Sequence, residues 1–384
     1  MIVRPAFLMA AAVATALVPL SGVAADSVQV VKIGHVAATS GAVAYFGKDN
    51  ENGARMAVEA LNARGVKIGG KPVRFELLAE DDAGDPKQAT SAAQKLVDAR
   101  VNAVIGHQTS GTSIPASKIY HDNGIPQISP SATSPQYTAQ GFNTTFRVVS
   151  NDKQLGRVLG RYAVTALAGK KVAVIDDRTA YGQGVAAEFV KGVKEAGGAI
   201  VGKEFTTDKS TEFSAILTKI RATKPDLVFF GGMSAVAGPM LHQMKQLGFG
   251  ATKFVGGDGI CSDEIVKLAQ GAVADGQVVC AEAGGVEAKG KAAMDQFHAA
   301  YKKRFGIEVQ IYSPYTYDAV MAVAAAMVKA GSSAPASYLP ALAAIRYQGI
   351  TGPIAFDQAG DIRDGTLTLY TFKNGHRSLV AVTR

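Results

Sequence analysis

Hydroxyl side chains follow two short apolar segments in the first half of the chain. Residues 103–105 (AVI) and 125–128 (IPQI) have the length of buried strands, and each leads into a loop rich in serine and threonine. The first loop supplies Ser110, and the second supplies Ser131 and Thr133. Hydroxyls can donate to a carboxylate, and free backbone N–H groups at a helix start carry partial positive charge, so such loops can hold a small anion without a lysine. The alternative is that these residues only cap helices and fill turns.

A carboxylate later in the chain could complete such a site. Asp258 stands in a glycine-rich stretch, GGDG at residues 256–259, which follows a predicted strand. A zwitterionic ligand needs donors at one end and an acceptor at the other, buried together so that no charge is left unpaired. Ser110, Thr133 and Asp258 meet that need. Taken alone, Asp258 would also fit an ordinary turn.

Strand and helix signals alternate along most of the chain, and this order would position the loops. The predicted strands, with amphipathic helices between them, lie over residues 28–36, 73–80, 171–175, 200–205, 227–230, 253–256 and 277–281. The alternation predicts an α/β fold with two doubly wound parallel sheets that carry helices on both faces. Loops at the carboxyl ends of parallel strands face the ligand crevice, so the hydroxyl loops are expected there.

The first 25 residues predict a secretory leader. Arg4 precedes an apolar run over residues 6–20, and small residues follow it, so we expect cleavage after Ala25. The alternative is a membrane anchor. The run, however, is interrupted by Pro19 and is shorter than the roughly 20 residues that a spanning helix needs. We therefore expect a soluble protein that is exported to the periplasm.

The chain has two cysteines, Cys261 and Cys280. An exported chain with an even number of cysteines usually pairs them, so we predict a disulfide between these two residues. Closing so short a loop would stabilise the fold by about 3 kcal/mol in the chain-entropy model. The alternative is a pair of buried thiols.

Composition and motifs argue against nucleic-acid binding and against catalysis. The formal net charge of +8 is scattered along the chain, with no basic tract interleaved with aromatic residues. The chain has no G-x-S-x-G, P-loop or H-E-x-x-H motif, and its six histidines lack metal-ligand spacing. We therefore expect a binding protein with no catalytic residue, cofactor or metal. An enzyme remains the alternative, because parallel α/β sheets commonly host catalysis.

Several motifs together resemble the periplasmic branched-chain amino-acid binding proteins. They are, in chain order, residues 81–89 (DDAGDPKQA), 104–107 (VIGH), 131–135 (SATSP), 177–184 (DRTAYGQG), 231–232 (GG), 256–259 (GGDG) and 352–357 (GPIAFD). The resemblance spans the whole mature chain. It implies a type I periplasmic binding protein, with two lobes that close on a free amino acid. Such a protein passes its ligand to the permease of an ATP-binding-cassette (ABC) transporter.

The resemblance also implies how the chain is divided. Members of this family cross between their lobes three times, and we place the crossings near Val148, Gly284 and Ile362. The three crossings form a three-strand hinge. The expected limits are residues 26–148 with 285–362 for the first lobe, and residues 149–284 with 363–384 for the second. We expect a monomer whose lobes stay open without ligand and close with it.

Site residues follow from the same resemblance. Ser110 takes the position whose hydroxyl meets the ligand carboxylate, while Ser131 and Thr133 supply backbone and hydroxyl contacts to the carboxylate and ammonium groups. Tyr181 is the second-lobe aromatic residue at the mouth of the cleft. Asp258 falls where the family often has a glutamate that faces the ammonium group. Because it is one methylene shorter, a bridging water could replace direct contact.

Three more residues fall where relatives line the side-chain pocket, namely Phe46, Met233 and Tyr312. Met233 replaces an aromatic residue, and its flexible thioether could widen the range of accepted side chains. Each of the three could instead be an ordinary core residue. Gly84 and Thr109 stand where some relatives carry a disulfide.

The expected ligand is a free amino acid, leucine, isoleucine or valine above others. The alternative function keeps the fold and binds an amide, urea or another small carboxylate, as a sensor or a transporter component.

Overall fold

The structure of the protein is a computed structural model that describes residues 1–3 and 28–383. The predicted leader, with its cleavage after Ala25, lies almost entirely outside the described residues. Within the described ranges, no single helix is long and apolar enough to cross a membrane. One bent pair of helices, Ser313–Ala330 with Pro335–Ala343, reaches the necessary length and composition only when the two are taken together.

The first sheet has six strands, all from the first 147 residues. They are β1 (Gln29–Ala37), β2 (Lys67–Ile68), β3 (Lys71–Asp81), β4 (Ala103–Gly106), β5 (Gln127–Ser129) and β6 (Thr145–Arg147), in the order β2-β3-β1-β4-β5-β6. All neighbours are parallel except the β2–β3 hairpin. The helices between them are α1 (Ala44–Ala63), α2 (Pro86–Asp98), α3 (Ser110–Asp122) and α4 (Gln136–Ala139). Parallel strands need such crossover connections, which explains the alternation in the sequence.

The second sheet begins with five parallel strands. They are β7 (Lys171–Asp176), β8 (Ala199–Phe205), β9 (Leu227–Gly231), β10 (Lys253–Gly256) and β11 (Val278–Glu282). The accompanying helices are α5 (Asp152–Thr165), α6 (Ala180–Glu195), α7 (Ser214–Ala222), α8 (Ser234–Gln246) and α9 (Glu264–Leu268). A short 3₁₀ helix, Asp258–Ile260, follows β10 directly.

The chain then returns to the first sheet before it completes the second. The 3₁₀ turn Ala288–Gly290 leads into α10 (Lys291–Phe305), α11 (Ser313–Ala330), α12 (Pro335–Ala343) and the small hairpin β12 (Tyr347–Gly349) and β13 (Gly352–Ile354). Strands β14 (Leu367–Lys373) and β15 (His376–Thr383) are antiparallel additions, so the second sheet has the order β15-β14-β11-β10-β9-β7-β8. The predicted α/β fold with two mainly parallel sheets is confirmed.

Side-chain caps set the helix starts that follow the strands. Asp85 accepts hydrogen bonds from the backbone N–H groups of Lys87 and Gln88, and Pro86 occupies the first turn of α2. Threonine caps α3 and α6 in the same way, each just after a strand. These short strand-to-helix turns fix the loops at the carboxyl edges of both sheets.

Buried apolar side chains hold the helices against the sheets. Strand β9 (LVFFG) is buried along its whole length, and Phe229 stacks on Phe189 of α6 with ring centroids 3.9 Å apart. Helix α11 buries most of its residues and packs on α1. Since burying a Phe or Leu side chain stabilises a fold by about 1.5–3 kcal/mol, these layers give the loops above them a rigid base.

The predicted disulfide is confirmed. Cys261, just after the 3₁₀ helix, is bonded to Cys280 of β11, and their Cα atoms lie 5.3 Å apart. The bond ties the turn that carries Asp258 to the neighbouring strand.

Three chain segments run side by side between the two sheets. Ser150 joins them. Its N–H donates to the carbonyl oxygen of Ala283 at 2.9 Å, and its hydroxyl donates to the carbonyl oxygen of Thr366 at 2.9 Å. The Thr366 hydroxyl in turn donates to the carbonyl oxygen of Gly285 at 2.6 Å. We propose that the predicted limits divide the chain into a first lobe, 26–148 with 285–362, and a second lobe, 149–284 with 363–384. The positions of these segments support that proposal.

Candidate ligand-binding site

The two hydroxyl loops lie side by side at one edge of the first sheet. Strands β4 and β5 are parallel neighbours, so both end at the same edge. Ser131 donates its hydroxyl to the carbonyl oxygen of Gln108 at 2.8 Å, and Ser110 Oγ accepts from the backbone N–H of Ser134 at 3.1 Å. These bonds fasten the loops together and leave the Ser110 hydroxyl proton free to be donated.

Thr133 supplies a second donor in the same place. Its side chain is buried, and its hydroxyl makes no hydrogen bond with any described residue. Arg147 fixes the loop backbone, because its guanidinium donates to the carbonyl oxygen of Ala132 at 2.9 Å while it pairs with Asp361. A buried hydroxyl without a partner, on a backbone held this firmly, is available to a ligand.

Asp258 begins the 3₁₀ helix after β10 and lies between two tyrosines. Its Oδ1 accepts from the Tyr181 hydroxyl at 2.8 Å and its Oδ2 accepts from the Tyr312 hydroxyl at 2.8 Å. Burial raises the pKa of Asp258, while these two hydrogen bonds lower it. Burial and the negative charge of Asp258 raise the pKa of both tyrosines, so the phenols remain protonated donors. Because Tyr312 immediately precedes α11, which packs on the first sheet, and Asp258 follows β10 of the second, the Tyr312–Asp258 bond links the parts of the fold built on the two sheets.

Apolar side chains pack around the two tyrosines. Phe46, in α1, meets Tyr312 edge-on with ring centroids 5.3 Å apart. Met233 immediately precedes α8 at the end of β9. A Cβ added at Gly259 would lie 2.9 Å from Met233 Sδ and 2.9 Å from Tyr181 Cε1, so only a glycine fits there without displacing both side chains. The structure thus brings the predicted pocket residues next to the acidic turn.

Asp152 links the hydroxyl loops to that turn, and sequence reasoning missed it. It is the first residue of α5, it is buried, and its backbone N–H donates to the carbonyl oxygen of Thr133 at 2.8 Å. Its carboxylate is close enough to Asp258 for the two charges to repel, and the Thr133 hydroxyl faces it and lowers its pKa without a hydrogen bond of good geometry. In the sequence, Asn151 and Asp152 look like an ordinary helix start, and Asn151 is indeed the cap of α5.

Tyr45 is a second neighbour that sequence reasoning missed. Its ring centroid lies 4.3 Å from that of Phe46, and its buried hydroxyl makes no hydrogen bond of good geometry with a described residue. Burial raises the pKa of Tyr45, and the nearby hydroxyl of Ser234, in α8, lowers it. Tyr45 therefore presents a protonated phenol to the other lobe. Its position next to Phe46 was the only signal in the sequence.

A cavity of about 830 Å³ lies elsewhere between the lobes, lined by β14, β15, α10 and the start of α11. Its buried polar groups are already paired. Tyr315 donates to Glu282 at 2.8 Å, and Arg377 donates to two backbone carbonyl groups. In the cleft around Thr133 and Asp152, by contrast, a buried hydroxyl and a buried carboxylate face each other without a hydrogen bond of good geometry. We assign the site to this cleft, because unpaired buried polar groups are a more specific sign of a polar ligand than volume is.

The cleft offers hydroxyl donors on one side and carboxylates on the other, with aromatic and thioether groups beside them. This arrangement complements a small molecule that carries both a carboxylate and an ammonium group. Within residues 28–383, no cluster of three or more His, Cys, Asp or Glu side chains is suited to a metal ion.

The chain is similar to binding proteins over nearly its whole length. Residues 30–377 match a family model described as periplasmic binding protein. The chain is 34% identical over 347 residues to the leucine-, isoleucine-, valine-, threonine-, and alanine-binding protein of Pseudomonas aeruginosa, and the match covers 90% of each chain. It is 33% identical over 366 residues to the leucine-specific-binding protein of Salmonella typhimurium, covering 95% of this chain and 96% of that protein.

Solved structures share the same architecture. A leucine binding protein from Thermotoga maritima superposes with a TM-score of 0.83 at 26% identity, covering 92% of this chain and 99% of that one. A branched-chain amino acid transporter substrate binding protein from Streptococcus pneumoniae, in complex with isoleucine, gives a TM-score of 0.80 at 30% identity with the same coverage. These similarities confirm the predicted resemblance and the two-lobed fold. The chain therefore belongs to the periplasmic binding protein family.

Proposed function

We propose that this protein captures a free amino acid in the periplasm and delivers it to the membrane permease of an ABC transporter. The preferred ligands would be leucine, isoleucine and valine. One observation carries the proposal: the buried Thr133 hydroxyl of the first lobe faces Asp152 of the second, and Asp258, a second buried carboxylate of that lobe, lies close to Asp152. Two relatives described above are named for binding leucine, and one related structure contains isoleucine, which supports this choice of ligand.

The two ends of the amino acid would bind different lobes. The ligand carboxylate would accept hydrogen bonds from the hydroxyls of Ser110 and Thr133 and from the backbone of the loop at Ser131. The ammonium group would lie toward Asp258, either in direct contact or through one water molecule. Hydrogen bonds to charged groups contribute about 1.5–3 kcal/mol each. Burial of a leucine side chain contributes about 1.5–3 kcal/mol more. Together these terms exceed the cost of ordering the ligand and permit micromolar binding.

The ligand side chain would lie among Phe46, Met233 and Tyr312. Aromatic rings give a rigid apolar wall that suits a branched aliphatic side chain. Met233 is the adaptable member, because an unbranched thioether can change rotamer to fit side chains of different length. We therefore expect the protein to accept several aliphatic amino acids and not leucine alone.

Capture would depend on hinge closure. Tyr181 and Asp258 lie on the second lobe, whereas Ser110 and Thr133 lie on the first, so only a closed molecule presents both sets of contacts. A ligand that contacts both lobes binds the closed form more tightly than the open form. It shifts the equilibrium toward the closed form by the difference between these two binding free energies. The three parallel crossing segments are the elements that would bend.

We also propose that the ligand is released unchanged and that the protein acts as a monomer after cleavage behind Ala25. Membership of a family of periplasmic binding proteins supports binding without catalysis and a periplasmic location.

A thermal-unfolding screen of the purified mature protein against the free amino acids, small amides, urea and aromatic acids tests the function. A ligand that binds only the folded state raises the unfolding temperature by mass action. We expect the largest increases with leucine, isoleucine and valine. An increase with an amide, urea or aromatic acid instead would support the alternative function, and no increase with any amino acid would contradict the proposal.

A further inference from the structure

Asp152 is a buried carboxylate that the fold itself does not use. Both of its carboxylate oxygens are shielded from solvent, and neither has a hydrogen-bond partner among the described residues. The Thr133 hydroxyl faces it, also without a hydrogen bond of good geometry. Burying an ionised carboxylate without a partner costs several kcal/mol, so burial raises the pKa of Asp152 well above its usual value, and a cation placed beside it would favour the charged form.

The charged groups around Asp152 compensate its charge only in part, through Arg147. Asp258, on the 3₁₀ helix, is a like charge and raises the pKa of Asp152, after the larger effect of burial. Arg147 is the nearby cation, but its guanidinium already donates to Asp361, to the Ala132 carbonyl oxygen and to the Thr138 hydroxyl. Glu188, in α6, adds more negative charge, although Arg157 and Lys191 pair with it.

The carboxylate lies beside the start of α6. A Cβ added at Gly184, in the first turns of α6, would make ordinary van der Waals contact with Asp152 Oδ2 at 3.7 Å and with the hydroxyl oxygen of Ser134 at 3.8 Å. The Asp152 carboxylate therefore lies between the serine–threonine loop of the first lobe and the start of α6 in the second. This is the part of the cleft where the two sets of ligand contacts meet.

We propose that Asp152 is a second acceptor for the ammonium group of the bound amino acid and acts together with Asp258. This inference rests on the proposed function. Both oxygens of Asp258 already accept from tyrosines, and its side chain is one methylene shorter than a glutamate. An ammonium group placed between Asp152 and Asp258 would pair with both carboxylates. The two tyrosines are uncharged, and Arg147 is paired with Asp361, so none of them does this.

The proposal assigns a specificity to the site. A carboxylic acid that has the leucine skeleton but no amino group would leave both aspartates unpaired, and closure would bury them beside each other. The site should therefore reject simple aliphatic acids, and Asp152 should cause much of that rejection. Replacing Asp152 by asparagine should weaken the binding of leucine and should also lower the cost of binding an acid without an amino group. The difference in affinity between the two ligands would then become smaller.

The test compares Asp152→Asn and Asp152→Ser with the wild-type protein by calorimetry, using leucine and 4-methylpentanoate, which is leucine without its amino group. We expect both variants to bind leucine at least tenfold more weakly and to bind 4-methylpentanoate equally or more tightly. Glu188→Gln is the matched control, since it removes a nearby charge that is paired outside the cleft, and it should leave the affinity for leucine unchanged.

The unfolding temperatures of the two Asp152 variants distinguish a role in ligand binding from a role in folding. Because the Asp152 carboxylate makes no hydrogen bond in the protein, both variants should unfold at the same temperature as the wild type or at a higher one. A lower unfolding temperature, failure of both variants to fold, or equal losses of affinity for the two ligands would make Asp152 a structural residue and overturn the inference. Unchanged leucine binding would also overturn it. If the wild type itself binds no amino acid, the proposed function fails first.

Discussion

Asp258 is the residue on which the amino-acid hypothesis depends most. Its carboxylate is buried and already joins Tyr181 to Tyr312, so it could compensate an ammonium group without moving. Asp258→Asn keeps the size and an oxygen acceptor but removes the charge. We expect leucine to bind at least tenfold more weakly, because the ammonium group would be buried with less compensating charge. Titration calorimetry measures the change.

Asp263→Asn is the control for that substitution. Asp263 lies five residues further along the chain, immediately before α9; its side chain is 43% exposed, pairs with His376 and accepts from the backbone N–H of Arg377, and it makes no contact with Asp258 in the structure. The control should bind leucine as the wild type does. If Asp258→Asn also keeps the wild-type affinity, Asp258 does not contact the ligand.

The sequence reveals single site residues only where a local pattern accompanies them. Ser110 and Thr133 could be predicted because each follows an apolar strand, and parallel strands bring their ends to one edge. Asp152 could not be predicted in this way. Its local pattern is that of a helix start, and only the three-dimensional structure shows that its carboxylate is buried without a partner. The pairing of Asp258 with Tyr312 depends equally on the packing of the lobes.

At the scale of elements, helix starts could be predicted where a side chain caps them. Asp85 and Pro86 together are a strong helix-start signal, and the structure begins α2 at Pro86. Helix α1 begins at Ala44 and has no side-chain cap. As a result Phe46 lies inside a helix that fixes its direction toward Tyr312. Without a cap, nothing in the local sequence indicates that boundary.

A buried hydrogen bond between His107 and Asp82 joins the loops that follow β4 and β3. His107 Nδ1 lies 2.7 Å from Asp82 Oδ2, and its Nε2 lies 3.0 Å from the Tyr120 hydroxyl. Asp82 is two residues from Gly84, and His107 is two residues from Thr109, the positions at which the resemblance predicted a lost cysteine pair. The hydrogen-bonded pair keeps the loops after β3 and β4 together, so the binding loop that follows His107 remains fixed.

The turn between β7 and α6 should make stability depend on pH. Burial raises the pKa of Asp177 to about 6, although the backbone N–H and hydroxyl of Thr179 donate to it and lower the pKa. The native state therefore binds this proton more tightly than the unfolded chain does. Its contribution to stability is present at low pH and is lost as the pH rises from about 4 to about 6.

Asp177→Asn removes that titration. We expect the free energy of unfolding of the variant, relative to the wild type, to increase by about 1–3 kcal/mol between pH 4 and pH 7. Urea unfolding at pH 4, 5, 6 and 7 measures it. The difference between the two proteins isolates Asp177 from Asp318, whose pKa burial also raises to about 6. A difference that does not vary with pH would show that Asp177 titrates normally.

At the scale of the whole molecule, several hydrogen bonds join the lobes, and two of them involve residues at or near the start of α11. Tyr312 donates to Asp258 across the cleft, and Arg377 of β15 donates to the carbonyl oxygen of Gln310 at 2.9 Å, near the start of α11. The alternation of strands and helices predicted two sheets, but contacts between lobes involve residues far apart in the chain. No local pattern could therefore have predicted them.

Tyr312→Phe tests whether the bond across the cleft favours closure. The substitution removes only the hydroxyl, so the apolar contact with Phe46 remains. A hydrogen bond to a charged group contributes about 1.5–3 kcal/mol, and we therefore expect leucine to bind about tenfold more weakly. In small-angle X-ray scattering, leucine should reduce the radius of gyration of the wild type, and the variant should need more leucine for the same reduction.

Tyr338→Phe is the matched control, because the Tyr338 hydroxyl donates to the Asn102 carbonyl oxygen within the first lobe. Equal behaviour of the two variants would show that the Tyr312–Asp258 bond does not favour the closed form, and a radius insensitive to leucine would contradict hinge closure itself.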